Sequence, residues 1–420
     1  MSGKTSDPQD EPARIPPWAS LHFRQFNYLF VLALFATAAQ QMRQAQIFYH
    51  VYELSGSAFQ LGLTGVAQGL PIFVFGLFGG ALADFMDRKR LILITTVGNW
   101  LVAVVLGVVT VSGLIQVWHI QLGMALTSTV NIMLTPTRMS IISFLVPRSH
   151  LTNAVSLNSA VSQSSHFIGP MLGGLSLAWM NAGNAYLFNS LFYIPAVGAI
   201  FLLKIPPIVG KLPERFSLSA MLGGFRFLFS EPVVFAMVIL DFVVIGFGYF
   251  RPLLPVFAKD ILFVGPAGFG MLSSAPAIGG MVGTVALLLI GDVKKKGLLA
   301  TWSFLGYAIA VGIFALSTNF LLSLFLLAIT GLTNSLQAVM RQTTFHILTP
   351  DQVRGRAFAV FHMFSQGANG FGATEIGFAA ALLGAPGSLL FGCAVGSLLT
   401  LACWVLMPGL RTFGAEARQG

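Results

Sequence analysis

The sequence predicts an all-α integral membrane protein, with twelve transmembrane helices in two six-helix halves and both termini cytoplasmic. Three observations lead there. Hydrophobic residues fill 55% of 420 positions and charged residues only 9%, against roughly 25% charged in a soluble protein. No soluble interior hides that much apolar surface. The cations gather in alternate loops, and the two halves of the chain repeat each other.

Apolar segments of about 20 residues are long enough to cross a bilayer. The first six run near Phe26–Tyr52, Phe59–Leu82, Leu91–Leu114, Trp118–Pro136, Ala154–Met180 and Ala185–Leu203. The second six run near Val233–Leu254, Phe269–Ile290, Leu298–Ser317, Phe320–Phe345, Ala357–Leu383 and Ser388–Met407. This divides the chain into a cytoplasmic tail (1–25), an N-terminal half (26–203), a central cytoplasmic linker (204–232), a C-terminal half (233–407) and a second tail (408–420). The first tail is polar and Pro-rich up to about Arg24, so a flexible segment is expected and no cleaved signal peptide. Within the linker, Leu218–Phe229 is amphipathic and suits a helix lying in the interface.

The orientation comes from Gly79–Arg90, where glycines, two acids and three cations interrupt two apolar runs. That many charges are too costly within hydrocarbon, so the stretch is a surface hairpin between two spans. With this turn on the inside, 20 of the 23 Lys and Arg residues fall in cytoplasmic segments. The exceptions are Arg43, Arg251 and Lys259. So strong an asymmetry is the positive-inside pattern. The net charge of +9 is therefore a topology signal, and no nucleic-acid partner is expected.

The repeat is visible in spacing. Arg138 to Pro147 and Arg341 to Pro350 each close an apolar span and precede a glycine-rich one, 203 residues apart. Asp84–Arg90 has an echo in Asp292–Lys296. Repeated halves imply a pseudo-two-fold axis along the membrane normal and a cavity between them.

No catalytic triad, phosphate loop or metal-ligand cluster is present, so neither an enzyme nor a cofactor is expected. Cys393 and Cys403 stand ten residues apart in one apolar run, a separation no disulfide spans on a rigid helix. Ionisable groups inside the membrane are the default functional candidates. Asp241 and Glu375 fall within spans, and each is a candidate to take up a proton and release it when access switches. In the first span, Gln40, Arg43 and Gln44 recur at helical spacing and are expected to share a polar face toward a cavity. An anionic substrate or a carboxylate, such as Glu375, would suit the arginine. Asn131 and His166 are further cavity candidates, with Gln68, Gln163, Asn334, Gln337 and Gln366 behind them.

Gly80-Ala-Leu-Ala-Asp84-Phe-Met-Asp87-Arg88-Lys89-Arg90 resembles the loop 2–3 signature of the major facilitator superfamily. Ile168-Gly169-Pro170-Met171-Leu172-Gly173-Gly174 resembles the Gly-Pro-x-x-Gly-Gly core of that superfamily's antiporter motif. Val51-Tyr-Glu-Leu-Ser-Gly-Ser-Ala and Phe144-Leu-Val-Pro-Arg are similar to the enterobactin-exporter-like drug:proton antiporter branch. The resemblance implies a cytoplasmic gate built on Gly80 and Asp84, with Arg88 and Arg138 as ionic partners. It implies a second element, Gly169, Pro170, Gly173 and Gly174, that favours closure against leak. It also implies a monomeric secondary transporter of the bacterial inner membrane, exporting a small amphipathic molecule (drug, siderophore or metabolite) in exchange for protons by alternating access. The alternatives are a proton-coupled uptake symporter for a small nutrient and, from another class, a non-transporting membrane sensor or scaffold of the same fold.

Overall fold

The computed structural model describes residues 16, 18–85, 87–205, 225–291, 293, 296–350 and 354–406, without the side chains of 76–85, 133, 135–136, 139–140, 232–233, 244, 346, 354–356, 359 and 362. These residues are helical nearly throughout, and no strand occurs among them. That is the form hydrocarbon demands, since a helix satisfies every backbone N–H and C=O within itself. The helices are α1 (Arg24–Ser55), α2 (Ala58–Phe85), α3 (Arg88–Val111), α4 (Val117–Leu145), α5 (Leu151–Trp179), α6 (Ala182–Leu191), α7 (Tyr193–Leu202), α8 (Pro232–Gly248), α9 (Gly265–Ile290), α10 (Lys296–Leu316), α11 (Phe320–Leu348) and α12 (Arg354–Leu406). The 408–420 tail, positions 206–224 of the linker and most of the first tail lie outside the described residues.

Local chemistry sets the boundaries. Gly56 ends α1 in the left-handed region, at φ 59°, where a side chain would be strained. Asp87 starts α3 by accepting the Arg90 backbone N–H at 2.9 Å, and Asn319 starts α11 by accepting from Leu322 at 3.0 Å. Each satisfies a donor that a helix start leaves over. Gly384, at φ 72°, breaks α12, and Pro386 follows two residues later, where it cannot continue the preceding helix.

Two expected spans are interrupted. The segment read as Ala185–Leu203 is two helices meeting at Phe192. Pro195 has no N–H to offer the preceding turn. The segment read as Val233–Leu254 leaves the α-helix at Tyr249, continuing through a 3₁₀ turn (Arg251–Leu253) and a π turn (Phe257–Ile261). Pro252 and Pro255 remove donors there. The end of the expected flexible tail is also fixed. Ser20 is buried, and its N–H donates to Asn153 of α5 at 2.9 Å.

Among the described residues, eight helical stretches are long and apolar enough to cross a membrane by length and composition alone. α1, α4 and α5 have 32, 29 and 29 residues but are more polar. α1–α7 form one packed set and α8–α12 another, and they meet along two seams, α2 on α12 and α5 on α9. Both seams are paved with small residues. A Cβ at Gly65 would lie 2.5 Å from the Ala373 carbonyl carbon, and one at Gly174 would lie 2.5 Å from the Gly270 Cα. Close backbone approach is how membrane helices gain dispersion energy when lipid offers no hydrophobic drive. Gly65→Leu should therefore overpack the α2–α12 seam at a cost on the order of 1–3 kcal/mol. Gly198→Leu, where a Cβ meets nothing within 4 Å, should be nearly neutral. Thermal unfolding in detergent of the two variants checks this.

Candidate functional site

Polar side chains of α1 divide between two environments. Thr37, Gln40 and Gln44 (i, i+3, i+7) are half-buried, whereas Ala39, Arg43 and Gln46 are buried. Arg43 is 2% exposed. Its guanidinium donates to the Asn99 carbonyl at 2.6 Å and to Asn99 Oδ1 at 2.5 Å, and it lies 5.6 Å from the Tyr193 ring. Asn99 Nδ2 in turn donates to Asn131 Oδ1 at 3.0 Å. Arg43 thus turns away from the face expected to hold it together with Gln40 and Gln44, and no pairing with Glu375 occurs. The reason is angular. At 100° per residue Arg43 sits 60° to one side of Gln40 and Gln44 sits 40° to the other, so the arginine reaches α3. On the α5 side, Gln41 hydrogen-bonds His166, which is half-buried.

Near the α2–α3 turn, Arg138 donates to Thr37 Oγ1 at 3.0 Å and to Asn158 Oδ1 at 3.1 Å, tying α4 to α1 and α5. Arg88 lies over the Phe144 ring at 4.7 Å. Gly80 and Asp84 belong to the last turns of α2, and their side-chain surroundings lie outside the described residues.

The Gly-Pro-x-x-Gly-Gly segment faces two ways. A Cβ at Gly169 would sit 2.6 Å from Gln41 Cβ, and one at Gly173 would sit 2.9 Å from the Met42 carbonyl. Both glycines bring α5 against α1 inside the N-terminal set. Gly174 meets Gly270 across the seam. Pro170 lies within α5 and is buried.

In the C-terminal set, Asp241 of α8 forms an ion pair with Arg341 of α11. Gln337 Nε2 donates to Asp241 Oδ1 at 3.4 Å, and the Arg341 guanidinium lies 5.2 Å from the Phe361 ring. Asp241 is 2% exposed and Arg341 9%. Sequence reasoning counted Arg341 as a topology charge and missed this pair. The signal was available, because Arg341 repeats Arg138 at the same place before its Pro. Glu375 is half-buried on α12, with one carboxylate oxygen buried and without a hydrogen-bond partner.

The two helix sets close on each other at the end that carries the α1–α2 turn. One apolar cluster there draws on both sets, including Phe48, Tyr49, Tyr52, Leu254, Phe257, Phe269 and Ile376. Tyr49 and Phe269 rings pack with centroids 5.2 Å apart. The Tyr52 hydroxyl donates to the Asp260 carboxylate, with Lys259 Nζ 5.9 Å from the Tyr52 ring. Midway along the α5–α9 seam, Ser274 Oγ donates to the Phe167 carbonyl at 2.8 Å. Among the described residues, the other apolar clusters each draw on one set alone.

The buried pair carries a test. Removing one partner of a buried ion pair leaves an uncompensated charge, at a cost of about 3–5 kcal/mol. Asp241→Asn or Arg341→Met should destabilise the protein by that order, and the double variant should recover most of the loss. A double-mutant cycle of thermal unfolding in detergent measures it, and additive losses would show that the two groups do not interact.

A family profile described as transmembrane secretion effector matches residues 15–419. The enterobactin exporter EntS of Shigella boydii serotype 18 is 27% identical over 336 residues, covering 79% of each chain. The enterobactin exporter EntS of Escherichia coli O127:H6 is 26% identical over 374 residues, covering 88% of this chain and 86% of that one. Among solved structures, the nucleoside transporter NupG superposes with a TM-score of 0.75 at 13% identity, covering 91% of this chain and 99% of that one. A bacterial homologue of the human lysosomal transporter Spinster, inward-facing and unoccupied, gives 0.67 at 15% identity, over 93% and 97%. At such identities the likeness is one of fold. The chain belongs to the transmembrane secretion effector family of the major facilitator superfamily and is a multi-pass transporter of the bacterial inner membrane, not an enzyme.

Proposed function

We propose that this transporter is an exporter, moving a small amphipathic molecule outward in exchange for protons as its two helix sets rock about a central site. The observation that carries this reading is closure, among the described residues, at the α1–α2 end. A shared apolar cluster seals the α1–α2 end, while the clusters toward the α2–α3 turn belong to separate sets. Both termini and the α2–α3 turn then face the cytoplasm, the α1–α2 end faces outward, and the state is open to the inside.

Counting α6 with α7 as one crossing, and α12 as two divided at Gly384, gives twelve spans in halves 26–203 and 233–407. The tails (1–25 and 408–420) and the linker (204–232) lie inside. Gly80 and Asp84 form the cytoplasmic gate, with Arg88 and Arg138 as cations on that side. Gly169, Pro170, Gly173 and Gly174 hold the outer side shut. Asp241 or Glu375 carries the proton. For Asp241, proton uptake would dissolve the pair with Arg341 and free α11 from α8. Gln40, Gln44, Asn131 and His166 belong to the site between the sets, and the transporter acts as a monomer. Export is supported by the printed names of the relatives, enterobactin exporters.

Two measurements test the reading. In a Cys393→Ala/Cys403→Ala background, Leu114→Cys should react with an impermeant maleimide in intact cells and Arg90→Cys should not. A strain lacking the gene, screened with drugs, siderophores and its own metabolites, should retain the cargo several-fold more than the parent. Export of that cargo should collapse with nigericin, fall about tenfold in Asp84→Asn, and lose its pH dependence in the variant of the proton carrier. Accumulation of the tracer by the parent strain would overturn the direction.

A further inference from the structure

The seal at the α1–α2 end contains a strained segment. After α8 the chain winds through the π turn Phe257–Ile261, in which hydrogen bonds reach five residues along rather than four. Leu262 N–H donates to the Phe257 carbonyl at 2.8 Å, and Val264 N–H donates to the Ala258 carbonyl at 2.8 Å. Between those two donors, Phe263 takes φ 54°. It is the one non-glycine residue in the left-handed region among the described residues, and a bulky side chain is strained there. Its ring is 81% exposed, so packing of that ring does not hold the backbone in place.

Contacts earlier in the turn do. Phe257 and Ala258 are fully buried, and the Phe257 ring packs on Phe314 with centroids 4.6 Å apart. That fixes the start of the segment to its own set. The Asp260 carboxylate then accepts the Tyr52 hydroxyl, and Lys259 Nζ lies 5.9 Å from the same ring. Tyr52 is buried in the last turn of α1, so this contact ties the strained segment to the other set. The contact depends on how the turn is wound. An α turn closes over one residue fewer, so relaxing this turn would rotate Asp260 about the helix axis relative to Phe257. A hydrogen bond is lost over such a movement.

We propose that residues 257–265 are a strained latch on the outer gate. The Tyr52–Asp260 hydrogen bond keeps the segment wound while the two sets are closed at this end, and its relaxation opens them outward. The proposal rests on the alternating-access reading above. Strain gives the latch its use. Apolar rings and touching glycines alone would only deepen closure, whereas a segment held at higher energy in the closed state offsets part of it. The open state is thereby brought within reach. Tyr52 and Asp260 act as positioning residues, setting how often the site opens outward.

The test reads outward opening directly. Gln44 lies eight residues inward of Tyr52 on α1, about 12 Å along the helix. An impermeant maleimide outside the cell reaches Gln44→Cys only when the seal parts. In intact cells, in a Cys393→Ala/Cys403→Ala background, Tyr52→Phe and Asp260→Ala should each speed that labelling about tenfold, the shift expected from losing a hydrogen bond to a charged group. Phe263→Gly should act with the opposite sign, because glycine takes left-handed backbone freely and the closed state gains. Added to Tyr52→Phe, it should pull the labelling rate back toward the parent. Phe263→Ala removes the exposed ring but keeps the β-carbon, so it should leave the Tyr52→Phe rate unchanged. Unaltered labelling in Tyr52→Phe or Asp260→Ala, faster labelling with Phe263→Gly, or equal effects of glycine and alanine would each overturn the proposal. Failure of the transport reading looks different. With the orientation inverted, Leu114→Cys would stay unlabelled in the same cells. With the direction inverted, the labelling pattern would persist while the parent strain accumulated the tracer.

Discussion

The structure depends on backbone-to-backbone contact between helices that lipid does nothing to drive together. In water, apolar faces collapse because water expels them. In hydrocarbon that term is absent, so association has to come from dispersion at short range and from hydrogen bonds. Dispersion falls steeply with distance, which is why side chains at the seams have been reduced to hydrogen. Gly62, Gly65, Gly69, Gly370 and Gly377 do this between α2 and α12, and Gly174 with Gly270 between α5 and α9. A seam made this way is strong while backbones touch and weak once they part by an ångström or two. Two sets joined by such seams suit the alternating access proposed above, in which they would part as units.

The same chemistry is used differently within one motif. Gly169 and Gly173 seat α5 on α1 of its own set, and Gly174 seats α5 on the other set. The first two build a rigid body. The third lies on the seam where the two sets meet. Sequence alone cannot divide the motif this way, because the division depends on which neighbour each side of α5 meets, and that is fixed by distant residues such as Gly270.

Much of the rest was legible for a physical reason. Composition reports the bilayer, which acts along the whole chain and leaves helices as the form of nearly every described residue. Pairings across helices were harder. Asp241 was visible as a costly residue, but its partner Arg341 was hidden among cations read as topology signals. Arg43 was visible too, yet placing it with Gln40 and Gln44 ignored that a 100° arc can straddle a helix boundary. The interruptions at Phe192 and Tyr249 had their signal in Pro195, Pro252 and Pro255. That signal says a donor is missing without saying whether the helix continues, as through Pro170, or stops.

Duplication also explains why the charge balance of the two halves carries information. Two halves of common design begin with matched positions, and any mismatch must be stable in its own right. An ion pair at Asp241 and Arg341 sets each buried charge against its opposite, so neither is left uncompensated. At the matched place in the N-terminal half, Arg138 meets Thr37 and Asn158, acceptors with no carboxylate proton to gain. The proton step proposed for Asp241, in which a neutralised carboxyl lets go of a guanidinium, therefore belongs to the contact between α8 and α11 and has no equivalent at Thr37.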